Sequence, residues 1–277
     1  MKPVNRYRMR AVLFDTMAAC TNLKERLAGE GVLFMRIVFG LQEEESLRSA
    51  ACSLGIRLEE CLLITNNRRH AKTATRLSVV CVGCVEGTYE LPEVALLEVP
   101  DETSVTYLNM LYCHEKGYPA FIAETERCFL RELTASDASD LYSICANPKV
   151  SRFLEEAVGT PEAEAEKLSA YIKTVYPFFE YGFWGVYERE SGKLIGRAGF
   201  REGSMPLEVG YLFDEHVWSK GFATEVLCAL VRYAKEELDV TDIVAKIFHE
   251  NTASRRVAEK CGVRVEEMQK AQEDFSA

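Results

Sequence analysis

The stretch Trp218-Ser219-Lys220-Gly221-Phe222-Ala223-Thr224-Glu225 decides how this chain is read. A strand-like run, Leu207-Glu208-Val209-Gly210-Tyr211-Leu212-Phe213, precedes it, and a helix-like run ending near Leu238 follows. A strand that turns through small residues into a helix aims several backbone N–H groups at one point. The helix dipole then favours an anion there, typically a phosphate. Gly221 and Ala223 matter because larger side chains would hold the anion away from the backbone. Taken alone, the stretch also fits an ordinary strand-to-helix turn that contains a glycine.

A second block follows about thirty residues on. The strand-like Asp242-Ile243-Val244-Ala245-Lys246-Ile247-Phe248 leads to Asn251-Thr252-Ala253-Ser254, which runs on to Cys261-Gly262-Val263. Asn251 is a good N-cap, and Gly262 stands where a helix ends on a left-handed residue. Strand, Gly-x-Ala loop, long helix, strand and Asn-capped helix together resemble the second half of the GNAT N-acetyltransferase superfamily, over roughly residues 122 to 265. The likeness is nearest to the branch that acetylates ribosomal-protein N-termini and related amines. The resemblance implies acetyl-CoA as co-substrate, its pyrophosphate on the loop and its pantetheine arm along the preceding strand.

The chain has 277 residues, 48% of them hydrophobic, enough for two domains with their own cores. It contains no apolar run of membrane-spanning length and no signal-peptide core near its start. These features predict a cytoplasmic protein with no membrane partner. The ten cysteines are spread through apolar runs and read as small core residues in a reducing compartment. Cys81 and Cys84 form a CxxC with no second pair or His cluster beside it, so no metal is predicted. Of the net charge of −10, residues 119–277 carry −9. Such acidity argues against nucleic acid and suits a cationic substrate, although surface acidity also serves solubility alone.

The expected fold class is α/β throughout, with a small Rossmann-like three-layer domain over 1–118 and a mixed α/β acyltransferase domain over 119–277. In the first, Arg10–Asp15, Cys61–Thr65 and Ser78–Val82 read as buried parallel strands, with helices near 43–54 and 68–77 between them. Its strand ends resemble the haloacid dehalogenase (HAD-like) superfamily, whose signature is a strand ending in Asp-x-Asp. Asp15 matches the family's nucleophile, but Met17 replaces the general acid. Asn66 and Asn67 replace the Mg²⁺-holding acidic pair, and Gly40 replaces the lysine. Phosphoryl transfer by that route needs a second acid and hard anionic ligands, so this domain is read as a degenerate scaffold.

The second segment starts with Glu124–Leu133 as one strand. Thr134-Ala135-Ser136-Asp137 begins a helix that Asn147-Pro148 closes, and Thr160-Pro161 opens another. A hairpin turns around Ser191-Gly192. This order is the one the GNAT resemblance requires.

Acetyl transfer from a thioester needs an amine stripped of its proton, a donor for the oxyanion and a partner for the leaving thiolate. Glu208 is the candidate base, because the resemblance puts a carboxylate ten residues before Trp218. An apolar strand around it predicts a raised pKa. The alternative is that it pairs with an arginine and only orients substrate. The resemblance also implies a tyrosine acid seven residues after Asn251, but Ala258 stands there. Ser254 matches the hydroxyl of the N-terminal-acetylating branch, and as a bare residue it also reads as part of a capped helix. Predicted cofactor contacts are Leu212, Phe213, Asp214, Trp218, Ser219, Lys220, Gly221, Phe222, Ala223, Thr224 and Asn251. Tyr176, Phe178, Phe179, Tyr181 and Trp184 read as core or as lining for an amine pocket. Only one strand, Val263 to Met268, is legible after Gly262, where GNAT domains usually have two. The acceptor is then a small-molecule amine or a protein N-terminus, and a homodimer is compatible with the pattern. Two alternatives stay open: an acyl-CoA-binding sensor without chemistry, and a HAD-type phosphatase with an accessory GNAT domain.

Overall fold

The computed structural model describes residues 8–15, 21–85, 98–100, 104–179 and 181–269. The chain divides into two compact units, Met1–Ala120 and Phe121–Ala277.

The first unit has strands β1 (Ala11–Phe14), β2 (Leu33–Arg36), β3 (Cys61–Ile64), β4 (Val80–Val85) and β5 (Glu98–Pro100). Its helices are α1 (Thr21–Gly29), α2 (Glu43–Ser53), α3 (Arg68–Arg76) and α4 (Val105–Glu115). The sheet runs β2-β1-β3-β4-β5 with every pairing parallel. β1 and β3 are wholly buried, as unbroken apolar runs require when both faces of a sheet are covered. Leu13 and Leu63 pack with Leu47 and Ala51 of α2 and Ala71 and Ala74 of α3. β2 and β5 escaped the sequence reading because β2 is mostly exposed and both are short.

The second unit has strands β6 (Phe121–Glu124), β7 (Cys128–Arg131), β8 (Phe183–Glu188), β9 (Leu194–Phe200), β10 (Leu207–Phe213), β11 (Ile243–Phe248) and β12 (Arg264–Met268). Its helices are α5 (Ala138–Cys145), α6 (Pro148–Ser151), α7 (Pro161–Thr174), α8 (Phe222–Glu237) and α9 (Thr252–Lys260). The sheet is sequential, β12-β11-β10-β9-β8-β7-β6. It is antiparallel from β6 to β10 and parallel from β10 to β12, because α8 and α9 serve as crossovers. Trp184, fully buried, meets Tyr233 of α8 edge-on at 5.3 Å between centroids.

Three expectations change here. Glu124–Leu133 is not one strand. Thr125–Arg127 turn the chain between β6 and β7, because the Arg127 backbone N–H and guanidinium are drawn onto the Glu225 carboxylate at 2.8 and 2.7 Å. Asn147-Pro148 not only closes α5 but opens α6, with the Asn147 side chain capping Lys149 N–H. The cysteines are not all thiols: Cys228 of α8 and Cys261, just past α9, form a disulfide with Cα atoms 5.3 Å apart. The packing of α8 on α9 brings them together across 33 residues of sequence. Burial instead pushes the Cys81 thiol up to about 12, which suits an inert core residue. Among the described residues no helix is long and apolar enough to cross a membrane.

Candidate functional site

The loop between β10 and α8 is built from two left-handed residues, Ser219 at φ 60° and Gly221 at φ 85°. Glycine adopts this conformation at no steric cost, whereas the Ser219 conformation has to be held by its neighbours. Arg127 does the holding. Its Nη1 donates to the Lys220 carbonyl at 2.9 Å, its Nε to Glu225 at 2.7 Å, and its guanidinium covers the Phe222 ring at 4.3 Å. Gly221 is the N-cap of α8 and offers no side-chain cap. The N–H groups of Ser219 to Thr224 therefore find no protein acceptor among the described residues. They stand at the positive end of a 16-residue helix dipole. Glu225, the acidic residue of that first turn, is neutralised by Arg127 and so does not repel an anion.

Beside the loop the sheet splits. β10 and β11 are in register only at Leu207↔Ile243 and Glu208↔Val244, after which the two strands diverge. Arg201 N–H donates to the Glu208 carbonyl and Asp214 N–H to the Ile195 carbonyl. Even-numbered residues of β10 thus face β9, and the backbone groups of Val209, Tyr211 and Phe213 face the gap. This corrects the expectation for Leu212 and Asp214, whose backbone groups are turned to β9. The Phe213 carbonyl is also occupied, accepting from the Trp218 indole at 2.8 Å. Asp214 caps the turn after β10 through His216 N–H at 3.0 Å.

Glu208 lies on the opposite face from Leu207, Val209 and Tyr211, and it is buried. Its surroundings are not apolar. Arg201 Nε donates to Oε1 at 2.8 Å, and the Lys246 ammonium from β11 lies 2.7 Å from Oε2. Burial raises the Glu208 pKa, but the hydrogen bonds and charges of Lys246 and Arg201 outweigh it, and the net shift is downward. The expected upward shift is therefore wrong in sign. Oε2 is buried and, apart from the Lys246 ammonium, has no polar partner among the described residues.

Asn251 caps α9 as expected, accepting from Ser254 N–H at 3.1 Å. Ser254 Oγ donates to the Tyr211 hydroxyl at 2.9 Å, and that hydroxyl donates to the Ser254 carbonyl at 2.8 Å. Burial pushes Tyr211 up to about 12, against a downward pull from the Ser254 hydroxyl. Sequence reasoning found Ser254 and missed Tyr211, which arrives from a strand rather than the last helix. Its alternation with Val209 and Phe213 was the available signal for which helix it would face.

On the Glu208 face, a cavity of about 380 Å³ opens between α5, α7 and the sheet, with Phe153 and Glu155 on its rim. A smaller hollow of about 70 Å³ adjoins it where β10 and β11 part, and it touches Tyr211, Asn251 and Ser254. Glu208 and the Tyr211–Ser254 pair therefore flank the same split from its two sides. The five aromatics named as core or pocket lining stay out of the cavity: Trp184 and Tyr176 are core, and Phe178 is 78% exposed.

In the first unit, Asp15 stands at the end of β1 and Thr65 at the end of β3. Asp15 accepts from the Thr65 hydroxyl and lies 2.6 Å from His70 Nδ1. Asn67 caps α3, accepting from Arg69 and His70 N–H, which gives it a structural task. Met17 lies outside the described residues.

A family model described as an acetyltransferase (GNAT) domain matches residues 127–264. The uncharacterized N-acetyltransferase YoaA of Bacillus subtilis (strain 168) is 33% identical over 153 residues, spanning 52% of this chain and 84% of that protein. The uncharacterized N-acetyltransferase p20 of Bacillus licheniformis is 28% identical, over 47% of this chain and 75% of its own. Among solved structures, a GNAT-family acetyltransferase from Bacillus anthracis aligns with a TM-score of 0.46 at 25% identity, covering 51% of this chain and 82% of that one. With the split sheet and the loop heading α8 lying inside the matched stretch, the chain belongs to the GNAT acetyltransferase family and is an N-acetyltransferase.

Proposed function

We propose that acetyl-CoA lies in the split between β10 and β11, with its diphosphate on the N–H groups of Ser219–Thr224 and its pantetheine arm along Val209, Tyr211 and Phe213. The observation that carries this reading is the two-residue register of β10 with β11. It leaves an interior strand edge open beside an uncapped helix terminus. Lys220 adds charge at the loop, and Asn251 meets the amides of the arm. The acceptor is a primary amine entering the cavity on the Glu208 face, either a small molecule or a protein N-terminus of the ribosomal-protein kind.

The chemistry divides between the two sides of the split. Glu208, held ionised, accepts an N–H of the acceptor or of an intervening water on Oε2. Its lowered pKa makes it a weak base, so it orients the amine and takes the proton transiently towards water. The amine nitrogen bonds to the acetyl carbon, the C–S bond breaks, and sulfur leaves as thiolate. The Tyr211–Ser254 pair borders the split; both of its hydroxyl protons are committed, so the Tyr211 hydroxyl would turn from the Ser254 carbonyl to donate to that thiolate.

We also infer that residues 1–118 are a degenerate haloacid dehalogenase-like scaffold. Parallel strands ending at Asp15 and Thr65 support it, and Asn67 in place of a carboxylate removes hard metal ligands.

Calorimetry with acetyl-CoA, followed by thiol release over an amine panel, tests the reading. Saturable binding and amine-dependent thiol are expected. Binding without thiol would favour a sensor. Inorganic phosphate released from a phosphomonoester with Mg²⁺, and lost in Asp15→Asn, would place the activity in the first unit instead.

A further inference from the structure

Four cations line the cavity on the Glu208 face: Lys167, Arg197, Arg201 and Lys246. Three are committed. Lys167 pairs with Glu164 at 3.0 Å, Arg201 with Glu208 and Glu155 at 2.8 Å each, and Lys246 with Glu208 at 2.7 Å. Arg197 differs. Among the described residues its guanidinium makes no ion pair or hydrogen bond, and it lies over the Phe183 ring, 5.5 Å from the centroid. It stands on β9 opposite Leu212 of β10, so it rises on the same face as Glu208. Its charge is felt by Glu164, whose carboxylate is already bonded to Gly159 N–H and Lys167. Gly210 completes the arrangement. A Cβ there would come within 2.8 Å of the Phe183 ring and displace the support beneath Arg197.

A half-buried guanidinium with no carboxylate paired to it among the described residues is a costly way to line a cleft unless a ligand supplies the anion. Its planar fork matches a carboxylate or a phosphate. Arg197 is level with Leu212, four residues beyond Glu208, or about 13 Å along the strand. We propose that Arg197 selects the acetyl acceptor, and that the acceptor is an amine bearing a carboxylate or phosphate several bonds from its nitrogen. The inference rests on the proposed reading that the cavity on the Glu208 face admits the acceptor. An α-carboxylate lies too close to its own amine to reach both Arg197 and Glu208. A guanidinium at this distance also disfavours diamines, whose second charge would face it.

The experiment compares kcat/KM for 6-aminohexanoate with hexylamine and cadaverine, and for O-phosphoethanolamine with ethanolamine. At least one anionic amine is expected to exceed its uncharged counterpart by about tenfold or more, the worth of one charge-assisted pair. Arg197→Gln should bring that ratio close to one, and Arg197→Lys should restore part of it, while acetyl-CoA affinity by calorimetry stays within about twofold. The two anionic arms separate carboxylate from phosphate recognition. Equal rates for charged and uncharged amines, or a preference for cadaverine, would overturn the proposal. So would an Arg197→Gln protein that loses acetyl-CoA affinity and keeps its acceptor ratio. If no amine in the set is acetylated, hexanoate and inorganic phosphate are titrated into the acetyl-CoA complex, and heats identical in wild type and Arg197→Gln overturn it. Failure of acetyl-CoA itself to bind defeats the proposed cofactor site instead, and is seen before any acceptor is added.

Discussion

Gly221→Glu should abolish measurable acetyl-CoA binding. Gly221 sits at φ 85°, where any side chain strains the backbone, and a Cβ there would lie 3.4 Å from Arg127 Nη2. The new carboxylate would also sit among N–H groups that have no protein acceptor and would satisfy them itself. Each charge-assisted hydrogen bond to a phosphate contributes about 1.5–3 kcal/mol. Losing two lowers affinity by about a hundredfold or more. Calorimetry reads this directly, with circular dichroism confirming that the second unit is folded. Affinity equal to wild type in a folded protein would remove the loop from cofactor binding.

Glu208→Gln should lower kcat at neutral pH by about 10²-fold or more, within the range for a lost proton acceptor, while acetyl-CoA affinity is kept. The glutamine loses the charge that neutralises Arg201 and Lys246. Because those cations depress the folded-state pKa of Glu208, the carboxylate stays ionised through the working range. An acidic limb in kcat/KM near neutrality therefore belongs to another group, the amine itself included. For stability the sign is the usual one for a depressed carboxylate: the contribution is present above the unfolded value and is lost as pH falls through the folded one. The stability gap between wild type and Glu208→Gln in urea should accordingly narrow below about pH 4. Equal kcat in the two proteins would strip Glu208 of its part in the reaction.

Much of the second unit was legible because its signals are local. Small residues at Gly221 and Ala223, alternation in 207–213 and the Asn251 cap each act within a few positions, and the structure places the turn, strand and cap where they read. What stayed hidden acts between distant residues. The clamp of Arg127 on Glu225 spans 98 positions, so nothing near Gly221 announced what holds the loop. The Glu208 pKa was given the wrong sign because its own strand is apolar, and the decisive ammonium comes from Lys246 on the next one. Tyr211 was passed over because an acid was sought on α9, whereas its hydroxyl reaches Ser254 from the sheet. In the first unit the buried strands declared themselves by unbroken apolar runs, and the exposed, short β2 did not.

The two-residue pairing of β10 with β11 has a mechanical side. A sheet cut almost through its middle behaves as two plates sharing a narrow hinge, five strands on one side and two on the other. A ligand bridging the open edge would act as a missing rung, stiffening both plates at once. Amide hydrogens of Val209, Tyr211 and Phe213 should then exchange quickly in the empty protein and slow together once coenzyme is added. The molecule would use its substrate as a beam.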